Sequence, residues 1–379
     1  MVKEKEIRRD SEERLPGMTD VYRRLAKRLD ELPHGFPPAE NGVELKILKK
    51  IFSPEEAEAA LRLKALPETA DTIALRLAVP VSEMKTSLDA MARKGQIGSA
   101  VRKGLRYYFL APFVPGIYEF QMYRIDTELA ELFEQYFPRL LETLGGFEPA
   151  MSRVVPVGAS IEAKSEVRVY EDVQTLIANA KSFHVYECIC QKERKLAGHD
   201  CDHSHPLEVC LSFSPQERAF EEFSLGGRDI TREEAVRILD DAEEQGLVHN
   251  VFYNTEKGHF AVCNCCPNCC TVFRGVRDLG VSHLLARSNF VARIDQETCS
   301  GCGACSEERC PMGAIGEENG SFRVEASRCI GCGLCASVCP TESIVLVKRP
   351  ESEQNKPAEN IPTWLVERAR NRGIDLKLE

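Results

Sequence analysis

The chain has 379 residues, of which 43% are hydrophobic and 28% charged, a composition that excludes a disordered or collagen-like protein. Its 59 acidic and 49 basic residues leave a formal net charge of -10, which argues weakly against non-specific nucleic-acid binding. No run of about 18 apolar residues could span a membrane, and the charged N-terminus lacks the apolar segment of a secretory signal. We therefore expect a cytoplasmic protein of two or three domains.

The unusual feature of the composition is its 17 cysteines, none of which precedes Cys188. A chain of this length buries an adequate core without disulfide bonds, and the cytosol keeps thiols reduced. Closely spaced cysteines in such a protein are typical of metal ligands or redox groups. The sequence therefore predicts that the second half of the chain binds metal.

The N-terminal region is predicted to be a polar arm, residues 1–40, followed by a helical domain, residues 41–150. Ser53-Pro54-Glu55-Glu56 opens a helix with a capping box and a proline at the first helical position. The pattern continues with helices near Thr69–Leu77 and Ser82–Lys94, a hairpin over Gly95–Phe113 with Gly98 and Gly104 as turn residues, and a longer helix near Gln121–Leu144. Three short helices followed by a two-stranded wing resemble a winged-helix domain.

Residues 151–285 are predicted to form a mixed α/β, cysteine-rich domain that binds iron–sulfur clusters. Strand-like text occurs at 154–157, 183–190 and 260–265, and helical text at 171–181 and 231–246. If the second and third of these segments are strands, their period of two places Cys188 and Cys190 on one face, and likewise Cys263 and Cys265. Cys266 then faces the other way or has left the strand.

An internal repeat marks residues 286–348. Arg293-Ile-Asp-Gln-Glu-Thr-Cys-Ser-Gly-Cys-Gly-Ala-Cys aligns with Arg323-Val-Glu-Ala-Ser-Arg-Cys-Ile-Gly-Cys-Gly-Leu-Cys, and each copy ends in Cys-Pro. The two copies supply Cys299, Cys302, Cys305 and Cys310, and Cys329, Cys332, Cys335 and Cys339. These runs resemble the bacterial ferredoxins with two [4Fe–4S] clusters, whose domain has the (βαβ)2 fold. Beyond them, residues 349–379 form a polar linker and a short terminal helix carrying Trp364.

The resemblance implies a crossed ligand set, because the fourth cysteine of each ferredoxin run binds the other cluster. One cluster then takes Cys299, Cys302, Cys305 and Cys339, and the other takes Cys329, Cys332, Cys335 and Cys310. The first run departs from the pattern, with four residues between Cys305 and Cys310, and we expect the extra residue to bulge the local helix. Two zinc sites are the alternative interpretation.

Nine cysteines remain in the middle domain: Cys188, Cys190, Cys201, Cys210, Cys263, Cys265, Cys266, Cys269 and Cys270. Adjacent cysteines cannot easily aim both thiolates at one small cluster, so we expect two cofactors or one cofactor plus free thiols. One or two further [4Fe–4S] clusters are the favoured interpretation, with the first four cysteines on one cluster and the second drawn from 263–270. Zinc or mixed sites and reactive thiols stay open. His203 or His205 could replace a thiolate, although a solvated loop is the simpler interpretation.

The middle region also resembles a cysteine-rich module that accompanies dicluster ferredoxin domains in uncharacterised proteins of anaerobes. The resembling text includes Cys-Ile-Cys-Gln-Lys-Glu, Pro206-Leu-Glu-Val-Cys210 and Cys-Asn-Cys-Cys. The resemblance implies iron–sulfur electron transfer and brings no known reaction with it. No dinucleotide-binding or phosphate-loop motif is present.

The sequence thus predicts an α+β multi-domain protein that relays low-potential electrons through two to four [4Fe–4S] clusters to or from a partner oxidoreductase. Two alternatives are an oxidoreductase with an incompletely ligated cluster in the middle domain, and a redox-sensing winged-helix transcription regulator. Whether the chain is itself an enzyme stays open. DNA is a less favoured partner than a redox protein, and a homodimer is compatible with the winged helix and with Trp364.

Overall fold

The computed structural model describes residues 16–163, 165–199, 201, 205–220 and 226–376. Residues 1–15 of the predicted polar arm and His203 lie outside the described residues. Within this part of the chain, none of the helices combines the length and apolar character needed to cross a membrane. The protein is a mixed α/β structure with many helices and several sheets.

Helices dominate the N-terminal part, around one small antiparallel sheet of order β1-β3-β2. Its elements are α1 (Pro16–Asp30), α2 (Val43–Ile51), α3 (Pro54–Leu61), β1 (Glu68–Thr69), α4 (Ala70–Leu77), α5 (Val81–Arg93), β2 (Gly98–Arg102), β3 (Leu105–Phe109) and α6 (Thr127–Gly145). The order of α3, α4, α5, hairpin and α6 is the one that the sequence predicts. The winged-helix assignment itself stays a prediction, as do the domain boundaries.

Local sequence explains where these helices begin. At α3 the predicted capping box is confirmed, since the Glu56 amide donates to Ser53 Oγ and the Ser53 amide donates to Glu56 Oε2, at 3.2 and 2.8 Å. Helix α1 occupies part of the predicted polar arm because Val21, Leu25 and Leu29 recur every four residues and are buried.

Two N-terminal expectations were wrong. Helix α6 begins at Thr127 rather than near Gln121, because the Asp126 side chain accepts a hydrogen bond from the Leu129 amide and caps the helix there. Gly98 is not a turn residue but part of β2, where a Cβ atom would lie 2.3 Å from the Phe109 ring. The hairpin turns at Lys103-Gly104 instead, with positive φ at both residues.

A seven-stranded sheet of order β10-β4-β8-β9-β6-β5-β7 forms the middle of the chain, and all its pairs are antiparallel except β10 with β4. The elements are β4 (Ser152–Val154), α7 (Val173–Ala178), β5 (Ser182–Glu187), α8 (Ile189–Leu196), β6 (Glu208–Ser214), β7 (Arg228–Ile230), α9 (Arg232–Glu244), β8 (Val248–Phe252), β9 (Ala261–Cys265), α10 (Thr271–Asp278) and β10 (Leu285–Ala286). Helices α7 and α9 pack on the sheet through buried residues such as Ile177 and Leu239.

The C-terminal part consists of two antiparallel strand pairs, β11 with β14 and β12 with β13. Its elements are β11 (Phe290–Ile294), β12 (Ile315–Glu318), β13 (Ser321–Val324), α11 (Leu334–Ser337), β14 (Ile344–Lys348) and α12 (Ile361–Asn371). A single π-helical turn spans Cys305–Arg309 at the position that α11 occupies in the second copy. A π turn accommodates one inserted residue, which confirms the bulge expected from the long spacing in the first copy.

The terminal helix α12 packs against the N-terminal part of the chain through two buried side chains. Trp364 is fully buried, and its Nε1 donates to the carbonyl of Ala150 at 2.9 Å. Arg368, also fully buried, donates to the carbonyls of Pro33, Phe147 and Pro149. Because Trp364 lies in the core of its own chain, it is not available for a dimer interface, and it does not favour a homodimer.

Candidate metal centres

The turns that carry the C-terminal cysteines depend on four glycines. Gly301, Gly303, Gly331 and Gly333 have φ values of 70°, 79°, 68° and 87°, a region that glycine enters without steric cost. The tight turns expected between the cysteines are therefore present in both copies of the repeat.

The structure brings the eight C-terminal cysteines together in the two crossed sets that the ferredoxin resemblance implies. Cys305 lies close enough to Cys299, Cys302 and Cys339 for their charges to raise its pKa, although burial is the larger cause. In the same way, Cys329 and Cys310 lie close enough to Cys332 and Cys335 for their charges to help raise the pKa values of those two thiols, and burial is again the larger cause. The fourth cysteine of each copy therefore lies with the first three of the other. Ligation itself stays a prediction.

The two sets differ in exposure. Cys329, Cys332 and Cys335 are buried, whereas Cys302 of the other set is exposed. Burial raises the pKa of Cys332 to about 12. At Cys339, hydrogen bonds from Thr341 and the Ser343 amide outweigh burial and lower the pKa. Greater exposure of one set favours a higher cluster potential there.

The more buried set lines a small cavity whose other lining residues are largely apolar. Cys310, Cys329, Cys332 and Cys335 line it together with apolar residues that include Met312, Ile315, Ile330 and Leu346. Four thiols facing an apolar cavity are the donor set that an iron–sulfur cluster takes. Met312 and Ile330 also form part of the wall of a wider cleft of about 1030 Å³.

Six of the middle cysteines form a closed ring, which we call the six-thiol group. Each thiol lies next to two others, in the order Cys188, Cys190, Cys270, Cys265, Cys263 and Cys210. Hydrogen bonds from their ring neighbours hold the pKa values of Cys190 and Cys263 well below the usual range of a thiol. The all-sulfur donor set suits iron–sulfur chemistry.

Two strands and two helix starts position the six-thiol group. Cys210 on β6 pairs directly with Cys263 on β9, and Cys265 lies on the same face of β9, as alternation predicts. The prediction of a strand through Cys190 was wrong, because β5 ends at Glu187, Cys188 is the N-cap of α8 and Cys190 lies in its first turn. Cys270 is the N-cap of α10.

Residues of other segments surround the six-thiol group. The hydroxyls of Tyr118 and Thr271 each lie 3.7 Å from Cys190 Sγ. Burial, with a smaller contribution from the charges of Cys190 and Cys263, raises the pKa of Glu119 to about 8. Burial and the neighbouring Glu134 raise the pKa of Glu193 to about 9. Two carboxylic acids near the thiols are therefore uncharged at neutral pH.

The other three middle cysteines form a compact three-thiol group. The sulfurs of Cys201, Cys266 and Cys269 all lie within 4.8 Å of one another, and those of Cys201 and Cys266 are 3.5 Å apart. His205 hydrogen-bonds to Cys266. A hydrogen bond from Cys269, supported by His205, lowers the pKa of Cys266 to about 3 despite its burial.

This grouping corrects the partition expected from the sequence, which placed Cys201 with Cys188, Cys190 and Cys210. The reason is the turn after β9, which brings Cys266 and Cys269 to the loop that carries Cys201. The expectation that adjacent cysteines serve different cofactors agrees with the geometry. Each adjacent pair is divided between the two groups, Cys265 from Cys266 and Cys270 from Cys269.

Residues 292–346 match the family model of 4Fe-4S dicluster domains. This match indicates iron–sulfur electron transfer by the C-terminal region. No curated protein and no solved structure matches the chain.

Sequence reasoning missed the polar neighbours of the six-thiol group. Tyr118 lies 72 residues before Cys190 in the chain, and Glu119 is the next residue. Nothing in the local text of that segment signals a metal site. In the sequence, Glu193 resembles the other charged residues of a polar helix, and only its complete burial in the structure distinguishes it from them.

Proposed function

We propose that this protein is an electron relay with [4Fe–4S] clusters at three places: the two crossed C-terminal sets and the six-thiol group. A cluster of this kind accepts or releases one electron at a time. The chain's own contribution is to fix the spacing, burial and hydrogen bonding of the thiols, which set the potentials.

The observation that carries the proposal is one continuous apolar core. Cys265 and Cys270 of the six-thiol group belong to the same buried cluster as Cys305, Cys329 and Cys335. Two contacts reinforce this junction: the Val157 amide donates to the carbonyl of Cys332 at 2.9 Å, and Arg309 donates to carbonyls at the end of α9. A shared apolar core holds the thiol sites together, as a relay requires.

The exposed Cys302 set is the favoured place of exchange with a partner. Its loop lies at the surface, and Glu307 beside Gly303 is exposed, as is Glu297 just before Cys299. With a net charge of -10, the chain suits a redox partner that presents a basic surface. Electron exchange with such a partner should slow as ionic strength rises, because screening weakens the encounter.

The test is the iron and acid-labile sulfide content of anaerobically purified protein, read together with Mössbauer and reduced-state EPR spectra. We expect about twelve irons per chain, from three cubes of four irons. Replacing Cys263 by serine should remove about four of them, whereas serine at Cys302 should alter a different EPR signal. About eight irons in the wild type, with unchanged iron after the Cys263 substitution, would confine the relay to the C-terminal region.

A catalytic oxidoreductase is the second candidate, and the composition of the six-thiol group favours it. A single cube needs four of the six thiols, and Glu119 and Glu193 lie nearby as uncharged acids that could exchange protons. An EPR signal of the middle cluster that changes on addition of a substrate, but not of a redox protein, would support this alternative.

The regulator hypothesis receives less support from the charges. In the predicted winged-helix domain, Lys94 after α5 is paired with Glu56, and Arg106 on β3 lies 3.8 Å from Asp89. These carboxylates reduce the positive charge available to phosphates. Steeply salt-dependent binding to duplex DNA would restore the hypothesis.

A further inference from the structure

The three-thiol group has a geometry that differs from every other cysteine set in the described part of the chain. Its sulfurs all lie within 4.8 Å of one another, and among the residues that the structure describes no other set of three potential ligand atoms is so compact. Around one tetrahedral zinc ion, with bonds of about 2.3 Å, ligand sulfurs stand about 3.8 Å apart. The separation of 3.5 Å between Cys201 and Cys266 is close to that value.

An iron–sulfur cube requires more space. Its four irons lie at separate corners, so the four thiolates have to stand farther apart than the ligands of a single ion. Neither the six-thiol ring nor the crossed C-terminal sets contain three sulfurs that all lie within 4.8 Å of one another in the described residues. The three-thiol group therefore has the dimensions of a mononuclear site.

A fourth donor is present beside the three sulfurs. His205 hydrogen-bonds to Cys266, although its ring nitrogen does not belong to the set within 4.8 Å. The donors come from two short segments, Cys201-x3-His205 and Cys266-x2-Cys269, and the second has the spacing of a zinc knuckle. Three cysteines and one histidine make a common closed tetrahedral zinc site.

We propose that Cys201, His205, Cys266 and Cys269 bind one zinc ion in a structural site that takes no part in electron transfer. The site joins Cys201 and His205 to the turn after β9. That turn is already ordered by amides of Cys269 and Cys270, which donate to the carbonyl of Cys266 at 3.3 and 2.9 Å.

Because of the position of this turn, zinc binding should affect the neighbouring six-thiol group. Cys265 and Cys270 flank the turn directly and belong to the six-thiol group. Zinc binding therefore fixes the backbone from which two of the six thiols project. Loss of zinc should lower the occupancy of the middle cluster and leave both C-terminal clusters in place.

The experiment uses the full-length protein purified anaerobically, with zinc and iron measured by mass spectrometry. We expect about one zinc per chain in the wild type, from one four-coordinate site. Cobalt(II) exchanged into the site should give the visible absorption of a tetrahedral thiolate complex. The alanine variant His205→Ala should bind zinc at least tenfold more weakly in competition with a chelator, and His205→Cys should restore binding. His203→Ala is the matched control, a histidine two positions away in the sequence, and should leave zinc affinity unchanged.

Three results would overturn the proposal. The first is wild-type protein without zinc in which Mössbauer spectra assign a further cube to the three-thiol group. The second is unchanged zinc affinity in His205→Ala, and the third is loss of zinc in His203→Ala. The EPR signals of the C-terminal clusters report on folding in every variant, so a misfolded variant is recognised. They also separate failure of the zinc site from failure of the proposed relay.

Discussion

The internal repeat provides a matched pair of glycines that tests how the buried C-terminal set is built. Gly301 and Gly331 occupy the same place in the two copies and have φ values of 70° and 68°. A Cβ atom at Gly301 would meet nothing within 4 Å, whereas at Gly331 it would lie 2.2 Å from both the Phe290 carbonyl oxygen and Ser288 Oγ. The two positions therefore differ in the space available for an alanine side chain, while their backbone conformations are nearly the same.

The expected costs follow from that difference. Left-handed backbone costs alanine about 1–2 kcal/mol at either position. At Gly331 the overlap adds about 1–3 kcal/mol, the usual range for overpacking. The Phe290 carbonyl cannot move away easily, because Phe290 is paired with Lys348 in the β11–β14 ladder. We therefore expect a total of about 2–5 kcal/mol for Gly331→Ala.

The assay is iron content and reduced-state EPR of both variants, with anaerobic thermal unfolding as the measure of stability. Gly331→Ala should lower the occupancy of the buried set, Cys310, Cys329, Cys332 and Cys335, and lower the unfolding temperature. Gly301→Ala should keep all its iron and lose only about 1–2 kcal/mol, the cost of left-handed backbone to alanine. Equal effects of the two substitutions would refute the reasoning, because backbone strain alone would then explain both.

Three further predictions address other parts of the molecule. Cys302→Ala and Cys332→Ala should each remove one C-terminal cluster and most electron throughput, and unchanged iron in both would contradict the ligand assignment. Glu193 has a pKa of about 9, raised from 4.5, so its contribution to stability should fall as pH rises from 4.5 to 9, by at most about 1.4 kcal/mol per pH unit. In Glu193→Gln the unfolding temperature should depend less on pH over that range, and an unchanged pH profile would exclude the mechanism. Arg368→Met should cost about 3 kcal/mol or more, because it leaves several buried carbonyls without a donor; a loss under about 1 kcal/mol in chemical denaturation would count against that.

Part of the arrangement of the cysteines could be predicted from the sequence, and part could not. The first three cysteines of each C-terminal set follow from local spacing, because two intervening residues and a glycine turn bring consecutive thiols around one centre. The crossing of the fourth cysteine to the other set is what the ferredoxin resemblance implies. Even the irregular spacing before Cys310 could be interpreted, since an inserted residue in a short helix is absorbed as a π turn.

The middle cysteines show where local reasoning fails. Their partition depends on which strands pair in the seven-stranded sheet, and β9 lies between β8 and β6 although more than 40 residues separate β6 from β9 in the chain. The pairing of Cys210 with Cys263 is a result of that long-range register. Sequence alternation fixed the face of Cys263 and Cys265, but it could not reveal which other thiols that face would meet.

The sequence by itself determined the metal-binding character of the chain, the repeat and the separation of adjacent cysteines between two thiol groups, because these depend on residue type and on spacings of a few residues. Only the tertiary structure decided that six middle thiols form one ring, that Cys201 joins Cys266 and Cys269, and that Trp364 is buried in its own chain. The physical reason is that strand order and helix docking are set by the burial of the whole apolar core, and no short segment contains that information.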